Sequence, residues 1–158
     1  MRMKHLLRST RQAGLACSLT LALGVSAFAA APALAGDTSG LTLSDTWMRV
    51  IVPSRPAAGY FTLTNESGEA RTLVGASSPA CGMVMLHESK GDKMVMLPEV
   101  AVAPGESVSF APRGKHLMCM KPAAELKPGT TAEVTLKFKD GSTLTGSFDV
   151  KGATATGK

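Results

Sequence analysis

The sequence predicts an all-β domain, an antiparallel sandwich or barrel, and three observations carry that prediction. Apolar and polar residues alternate with period two in short runs. The runs recur every eight to twelve residues, with Gly, Pro, Asn or Asp between them. No segment beyond residue 36 carries a long apolar stripe of period 3.6, so helix is expected to be scarce.

The expected strands run in order along the chain. Leu41-Thr42-Leu43 leads into 47–52, which Pro53 and the following residues to Ala58 interrupt. The next run, 59–64, ends at Asn65-Glu66-Ser67-Gly68. Further strands are expected over 72–76, 83–88, 93–97, 107–110, 115–120, 131–138 and 143–150. No repeat is present, and 151–158 is small, polar and expected to be a disordered tail.

The first 35 residues have a different character. Arg2, Lys4, Arg8 and Arg11 stand there without any acid, an apolar to weakly polar run covers 13–31, and Ala33-Leu34-Ala35 supplies small residues before Gly36. That order is a secretory signal peptide, giving a leader over 1–35 and a mature domain over 36–150, with the periplasm as destination. An N-terminal membrane anchor is the competing reading. Many residues of the run are small, however, and it ends in a cleavage pattern rather than a charged stop. A lipid anchor on Cys17 is not expected, because Gly14-Leu15-Ala16 is a poor lipobox and Cys17 lies near the start of the run.

The leader also accounts for most of the charge. The whole chain has 17 Lys and Arg against 12 Asp and Glu, a net charge of +5; without the four leader cations it is +1. No block of like charge remains, and one Trp and one Tyr are too few to stack on bases, which argues against nucleic acid as a partner. No stable membrane insertion is expected after leader removal, and the domain is expected to be a monomer. Cys81 and Cys119 remain in an oxidising compartment, where they form one disulfide or stay as two buried thiols.

Methionine and histidine are concentrated in one window. Six methionines lie between Met83 and Met120, together with His87 and His116. Any single methionine is ordinarily a core gap-filler, so the question is whether these share a face. A hairpin of 83–88 and 93–97 with an even loop centred on Lys90-Gly91 pairs His87 with Met94 and Met85 with Met96, all on one face. It also places Leu86, Val95 and Leu97 on the opposite, core-like face. An odd loop would send Met94 and Met96 to that other side. Within 115–120, His116, Met118 and Met120 point one way, while Leu117 and Cys119 point the other. Imidazoles and thioethers together select copper, since thioether is a soft, uncharged donor suited to Cu(I) and poor for Mg, Ca or Zn.

Several segments resemble the PCu(A)C periplasmic copper chaperones. They are Leu73-Val74-Gly75-Ala76-Ser77-Ser78-Pro79, Leu86-His87-Glu88, Met94-Val95-Met96-Leu97-Pro98, Ala103-Pro104-Gly105 and 114–120. Trp47-Met48-Arg49, Ala57-Ala58-Gly59-Tyr60-Phe61 and Asn65 fit the first half of the same family, so the resemblance spans about 41–148. It implies a cupredoxin-like antiparallel β-sandwich of Greek-key type. It also implies a non-enzymatic role: carrying Cu(I), with Cu(II) a further candidate, on two His and two Met for delivery to a copper-accepting protein. The acceptor implied is the binuclear copper site of cytochrome c oxidase subunit II, or another copper chaperone.

The family's ligand spacing is His or Met, ten residues, Met, twenty-one residues, His, one residue, Met. Met94, His116 and Met118 fit it directly. The first ligand departs, because His87 and Met94 enclose six residues; a turn shortened by four would keep strand parity. Met83 fits the spacing of ten literally. The expected ligand set is therefore His87, Met94, His116 and Met118, with Met96, Met83, Met85 and Met120 as secondary candidates.

Three other readings compete. An electron-transfer cupredoxin needs a Cys thiolate beside two His and an axial Met, and Cys119 is near in sequence but expected to point away. Copper tolerance or storage would use the same ligands. A metal-free structural sandwich would bind no copper. With two His in the domain, no Ser-His-Asp arrangement or Gly-rich phosphate loop is readable.

Overall fold

Most strands of the computed structural model, which describes residues 37–52 and 54–156, can be traced to the alternation in their sequences. The expected leader, 1–35, lies outside the described residues. Ten strands form among the described residues: β1 (Leu41–Arg49), β2 (Ala57–Asn65), β3 (Arg71–Ser77), β4 (Cys81–Lys90), β5 (Lys93–Met96), β6 (Val100–Val102), β7 (Ser107–Phe110), β8 (Lys115–Pro122), β9 (Thr131–Phe138) and β10 (Thr143–Lys151). Among the described residues no helix forms. In β9 the period is clean, with Ala132, Val134, Leu136 and Phe138 buried and their neighbours turned outward.

Most strands begin or end within one or two residues of the expected positions, and three departures have a specific cause. The runs at 41–43 and 47–52 join into one strand, β1, whose register shifts between Ser44 and Trp47. Asp45 takes a φ of 51° there, a left-handed conformation that Asp tolerates, so the extra residues form a bulge instead of ending the strand. β6 was not expected because three residues between Glu99 and Ala103 are too few to display a period; Val100 and Val102 are nonetheless buried where β6 pairs with β3. β10 reaches Lys151, one residue beyond its expected end, and Ala155 N–H then donates to the Gly152 carbonyl at 3.2 Å.

The strands follow the order β5-β4-β8-β2-β1-β10-β9-β3-β6, and a further pairing, Ala76 with Val84, joins β3 to β4. That contact closes seven strands into a ring, so the sandwich is also a flattened barrel. Every pairing is antiparallel except β1 with β10, which run parallel with Trp47 opposite Asp149. β7 attaches to β2.

The core lies inside this ring. Phe61 stacks on Phe110 at 4.3 Å between centroids, and Phe148 meets Phe61 edge-on at 5.9 Å. Leu63, Leu73, Leu117 and Leu136 are fully buried around them. Asn65 is also fully buried. Its Nδ2 donates to the carbonyls of Glu69 and Val102 at 2.8 and 3.0 Å, and its Oδ1 accepts from Ser67 N–H at 3.1 Å. Side-chain bonds thus satisfy a buried amide and pin the β2–β3 turn to β6.

Cys81 and Cys119 are joined in a disulfide, with Cα atoms 5.4 Å apart. It staples β4 to β8 on the inward side, and Cys119 is fully buried. The two alternatives left open by the sequence are thereby resolved.

Candidate metal centre

The β4–β5 hairpin sets the first half of the site. Its loop is the two residues Gly91-Asp92, and the pairs are His87 with Met96, Glu88 with Val95, Ser89 with Met94 and Lys90 with Lys93. The loop is even, but the register lies two residues from the expected one. His87 therefore faces Met96 directly and Met94 diagonally, and Met85 has no partner on β5. Gly91 explains the choice: it takes a φ of 60° at the first loop position, which suits a tight two-residue turn and allows two further cross-strand pairs.

All four residues of β5 are exposed. The strand overhangs the core, so Val95, at 40% exposure, does not join Leu86 in the interior as expected. Leu86 is buried, and Leu97 packs against the core from its edge. Pro98 would be the next opposite Met85, and without an N–H it cannot extend the ladder.

β8 supplies the second half. It pairs with β4 so that His87 lies opposite His116, Met85 opposite Met118 and Met83 opposite Met120. One face of three neighbouring strands thus carries His87, His116 and all six methionines of the window. The rungs run from Met83 and Met120, through Met85 and Met118, to His87, His116 and Met96, with Met94 one step beyond.

The imidazoles of His87 and His116 have centroids 6.0 Å apart and planes inclined by 23°. His116 is 5% exposed, and its Nδ1 lies 3.0 Å from the Gly114 carbonyl oxygen. A carbonyl only accepts, so Nδ1 carries the proton and the neutral ring keeps its lone pair on Nε2. Such a bond orients an imidazole for metal binding. His87 is half-buried, and its Nδ1 is enclosed without a hydrogen-bond partner. Burial, and then the neighbouring His116, hold the His87 imidazole below its ordinary pKa of 6.5. The ring therefore remains neutral, with a lone pair to give, to lower pH than a free histidine would.

Beside this row a cavity of about 520 Å³ opens to the surface, lined by His116, Met118, Met94, Tyr60, Arg49 and Arg113 among others. Met85 and Met96 instead line a second depression of about 250 Å³ with Val74 and Pro98. Of the expected ligands, Met94, His116 and Met118 therefore share one opening, and His87 is joined to them through the His116 rung. Met94 and Met96 are 56% and 60% exposed, so both thioethers can move.

The sequence reading gave no role to the aromatic wall behind His116. Tyr60 meets the His116 ring at 6.4 Å, and Trp47 packs on Tyr60 at 4.5 Å. Arg49 Nη2 donates to the Tyr60 hydroxyl at 2.7 Å, and its guanidinium lies 5.4 Å from the Tyr60 ring centre. The signal was present, since the chain has one Trp and one Tyr and both lie here. Glu88 is taken up by Lys90 at 3.1 Å and Lys115 at 3.7 Å, whose hydrogen bonds and charges keep its carboxyl below the ordinary range.

Chemically, the face offers two imidazoles and several thioethers. Among the described residues no three His, Cys, Asp or Glu side chains converge, so a site for a hard or borderline cation is not assembled there. Cys119 offers no thiolate, being in the disulfide, and the blue-copper arrangement is therefore not formed.

Comparison with known proteins agrees with this fold. The family model described as "Putative lipoprotein LpqE-like" matches residues 41–150. A relative from Leifsonia xyli subsp. xyli, described in the same terms as Lxx21020, is 31% identical over 153 residues, covering 93% of this chain and 90% of its own. The copper-bound PCuAC domain from PmoF2 superposes with a TM-score of 0.64 at 20% identity, covering 74% of this chain and 97% of that domain. The solution structure of CuI-DR1885 from Deinococcus radiodurans superposes with a TM-score of 0.58 at 32% identity, covering 77% of this chain and 85% of that one. With a family model spanning all but the last residue of the described sheet and a fold shared with PCuAC domains, the chain belongs to the LpqE-like family.

Proposed function

We propose that this chain is an exported copper chaperone that binds Cu(I) through His87, Met94, His116 and Met118 and passes it to a copper-accepting protein. One observation carries the reading: two imidazoles directly paired across β4 and β8 sit among six methionines on a single face. The enclosed and unpartnered Nδ1 of His87 supports it, because a buried nitrogen without a partner is costly and a metal ion would relieve that cost. The copper held by the PmoF2 domain and by DR1885 supports the choice of metal.

The chemistry is binding and transfer rather than catalysis. Neutral imidazole and thioether ligands leave the bound ion with its positive charge, and Arg49 and Arg113 stand in the same opening. Movement to a site with anionic thiolates is therefore downhill. Exposed Met94 lets ligands exchange one at a time, without release of a free ion. The acceptor proposed is the binuclear copper site of cytochrome c oxidase, and the compartment is the periplasm. Both follow from the family resemblance and the leader-like 1–35.

Competition against a chromophoric Cu(I) chelator tests the site. The His87→Ala, His116→Ala double variant should lose affinity at that site by about 100-fold or more, since even the outer partners of metal ligands contribute tenfold to 100-fold. Unchanged affinity would overturn the assignment. Mixing the Cu(I)-loaded chain with the soluble copper domain of the oxidase and measuring the copper in each separated protein tests delivery; copper remaining with the donor would exclude that acceptor.

A further inference from the structure

The proposed site uses two of the six methionines in the window. The remainder are Met83, Met85, Met96 and Met120: among the described residues Met48 is the one methionine in the hydrophobic core, and none of these four belongs to it or to the apolar shell packed against it. Met83 is 56% exposed. A long thioether left in solvent on an exported protein gains little from burial and is open to oxidation.

Their placement is regular. Met83 is directly opposite Met120, and one rung nearer the histidines Met85 is opposite Met118. Directly paired residues place their Cβ atoms about 4.5–5.5 Å apart, and residues two apart on a strand share a face. Four thioethers therefore form a two-by-two block adjoining the His87 and His116 rung. A methionine side chain has three rotatable bonds, enough to bring the sulfurs of neighbouring rungs onto one ion.

We propose that Met83, Met85 and Met120 form a second Cu(I) site made of thioethers alone, joined to the His-containing site by Met118. Three neutral sulfur lone pairs would bind the ion; no electron moves, no proton is released and no other bond breaks. Soft uncharged donors of this kind favour Cu(I) over Zn, Mg or Ca. An ion held there lies one rung from Met118, so exchange of a single ligand at a time would carry it to the histidines.

The proposal rests on reading the neighbouring rung as a Cu(I) site, and the test separates the two. Cu(I) is titrated into the full chain against a chromophoric chelator, while NMR of 13C-methyl methionine records which methyl groups move. The native chain should bind two equivalents, and the His87→Ala, His116→Ala variant one. Adding Met83→Leu and Met120→Leu to that variant should weaken the remaining equivalent at least tenfold, and in the native chain one equivalent should shift the methyls of Met83, Met85 and Met120. A single equivalent that disappears with the histidines overturns the proposal and leaves the His site standing. A single equivalent that survives without the histidines and goes with Met83 and Met120 upholds it and overturns the other reading. A second equivalent indifferent to Met83→Leu and Met120→Leu also overturns it.

Discussion

His87 and His116 are a directly opposed cross-strand pair, with their rings 6.0 Å apart at the centroids and inclined by 23°. The backbone ladder between β4 and β8 holds this spacing, and the disulfide from Cys81 to Cys119 fastens the same two strands further along. The Gly114 carbonyl orients His116, and the Tyr60 ring lies 6.4 Å from it between centroids. Rigid strands thus carry the imidazoles, whereas the thioethers beside them are long and mobile.

Met94 and Met96 should differ as ligands although both are exposed on β5. Met94 shares the opening of His116 and Met118, while Met96 lines the neighbouring depression with Met85. Met94→Leu should weaken Cu(I) binding about tenfold, which is about 1.4 kcal/mol, and Met96→Leu should weaken it less. Chelator competition on the two single variants measures this. Equal losses would mean that either thioether serves.

Acid should destabilise the apo chain through His87. Burial and His116 lower its pKa in the folded state, so between that value and the ordinary 6.5 the unfolded chain binds more protons. Its contribution to stability is therefore complete above about pH 6.5 and declines as pH falls below it. Urea midpoints taken from pH 8 to pH 5 should decrease through this window, and less steeply in His87→Gln. An identical slope in the variant would refute the assignment. Cu(I) affinity should weaken in the same direction, since a proton and the metal compete for one lone pair.

Loss of the disulfide should cost stability more than metal affinity. It closes a loop with a sequence separation of 38, for which the entropic effect is about 2–4 kcal/mol. Cys81→Ala with Cys119→Ala should lower the urea midpoint accordingly and retain Cu(I) binding, because neither sulfur lies on the methionine face. Cu(II) added to the oxidised chain should give no intense blue thiolate band; its appearance would return the cupredoxin reading to consideration.

Asn65→Ala should be among the more damaging polar substitutions. It removes the amide that bonds Glu69, Val102 and Ser67 in a fully buried position, leaving their groups unpaired, at about 1–3 kcal/mol. Thermal or urea unfolding measures the loss, and a change below about 0.5 kcal/mol would contradict the pinning role.

Much of the fold was legible because alternation is local. The runs at 107–110, 115–120, 131–138 and 143–150 fall within observed strands β7 to β10, each by its own period-two pattern. β6 escaped notice because three residues show no period, and the break at 44–46 concealed a bulge because Asp45 turns without ending its strand. Val95 was misplaced because alternation marks two faces but does not say whether a core lies beneath either one.

For the metal face, the sequence by itself determined composition, six methionines and two histidines in one window, and it favoured without fixing the even hairpin loop that keeps Met94 and Met96 on the His87 side. Tertiary structure decided the neighbours. Gly91 set the hairpin register two residues from the expected one, the β4–β8 ladder placed His87 opposite His116, and the closed ring put the core on the far side from the methionines. The physical reason is that side-chain direction along a strand follows from one residue's backbone. Which strand lies beside it, and in what register, is settled by long-range hydrogen bonding and burial, which no single segment encodes.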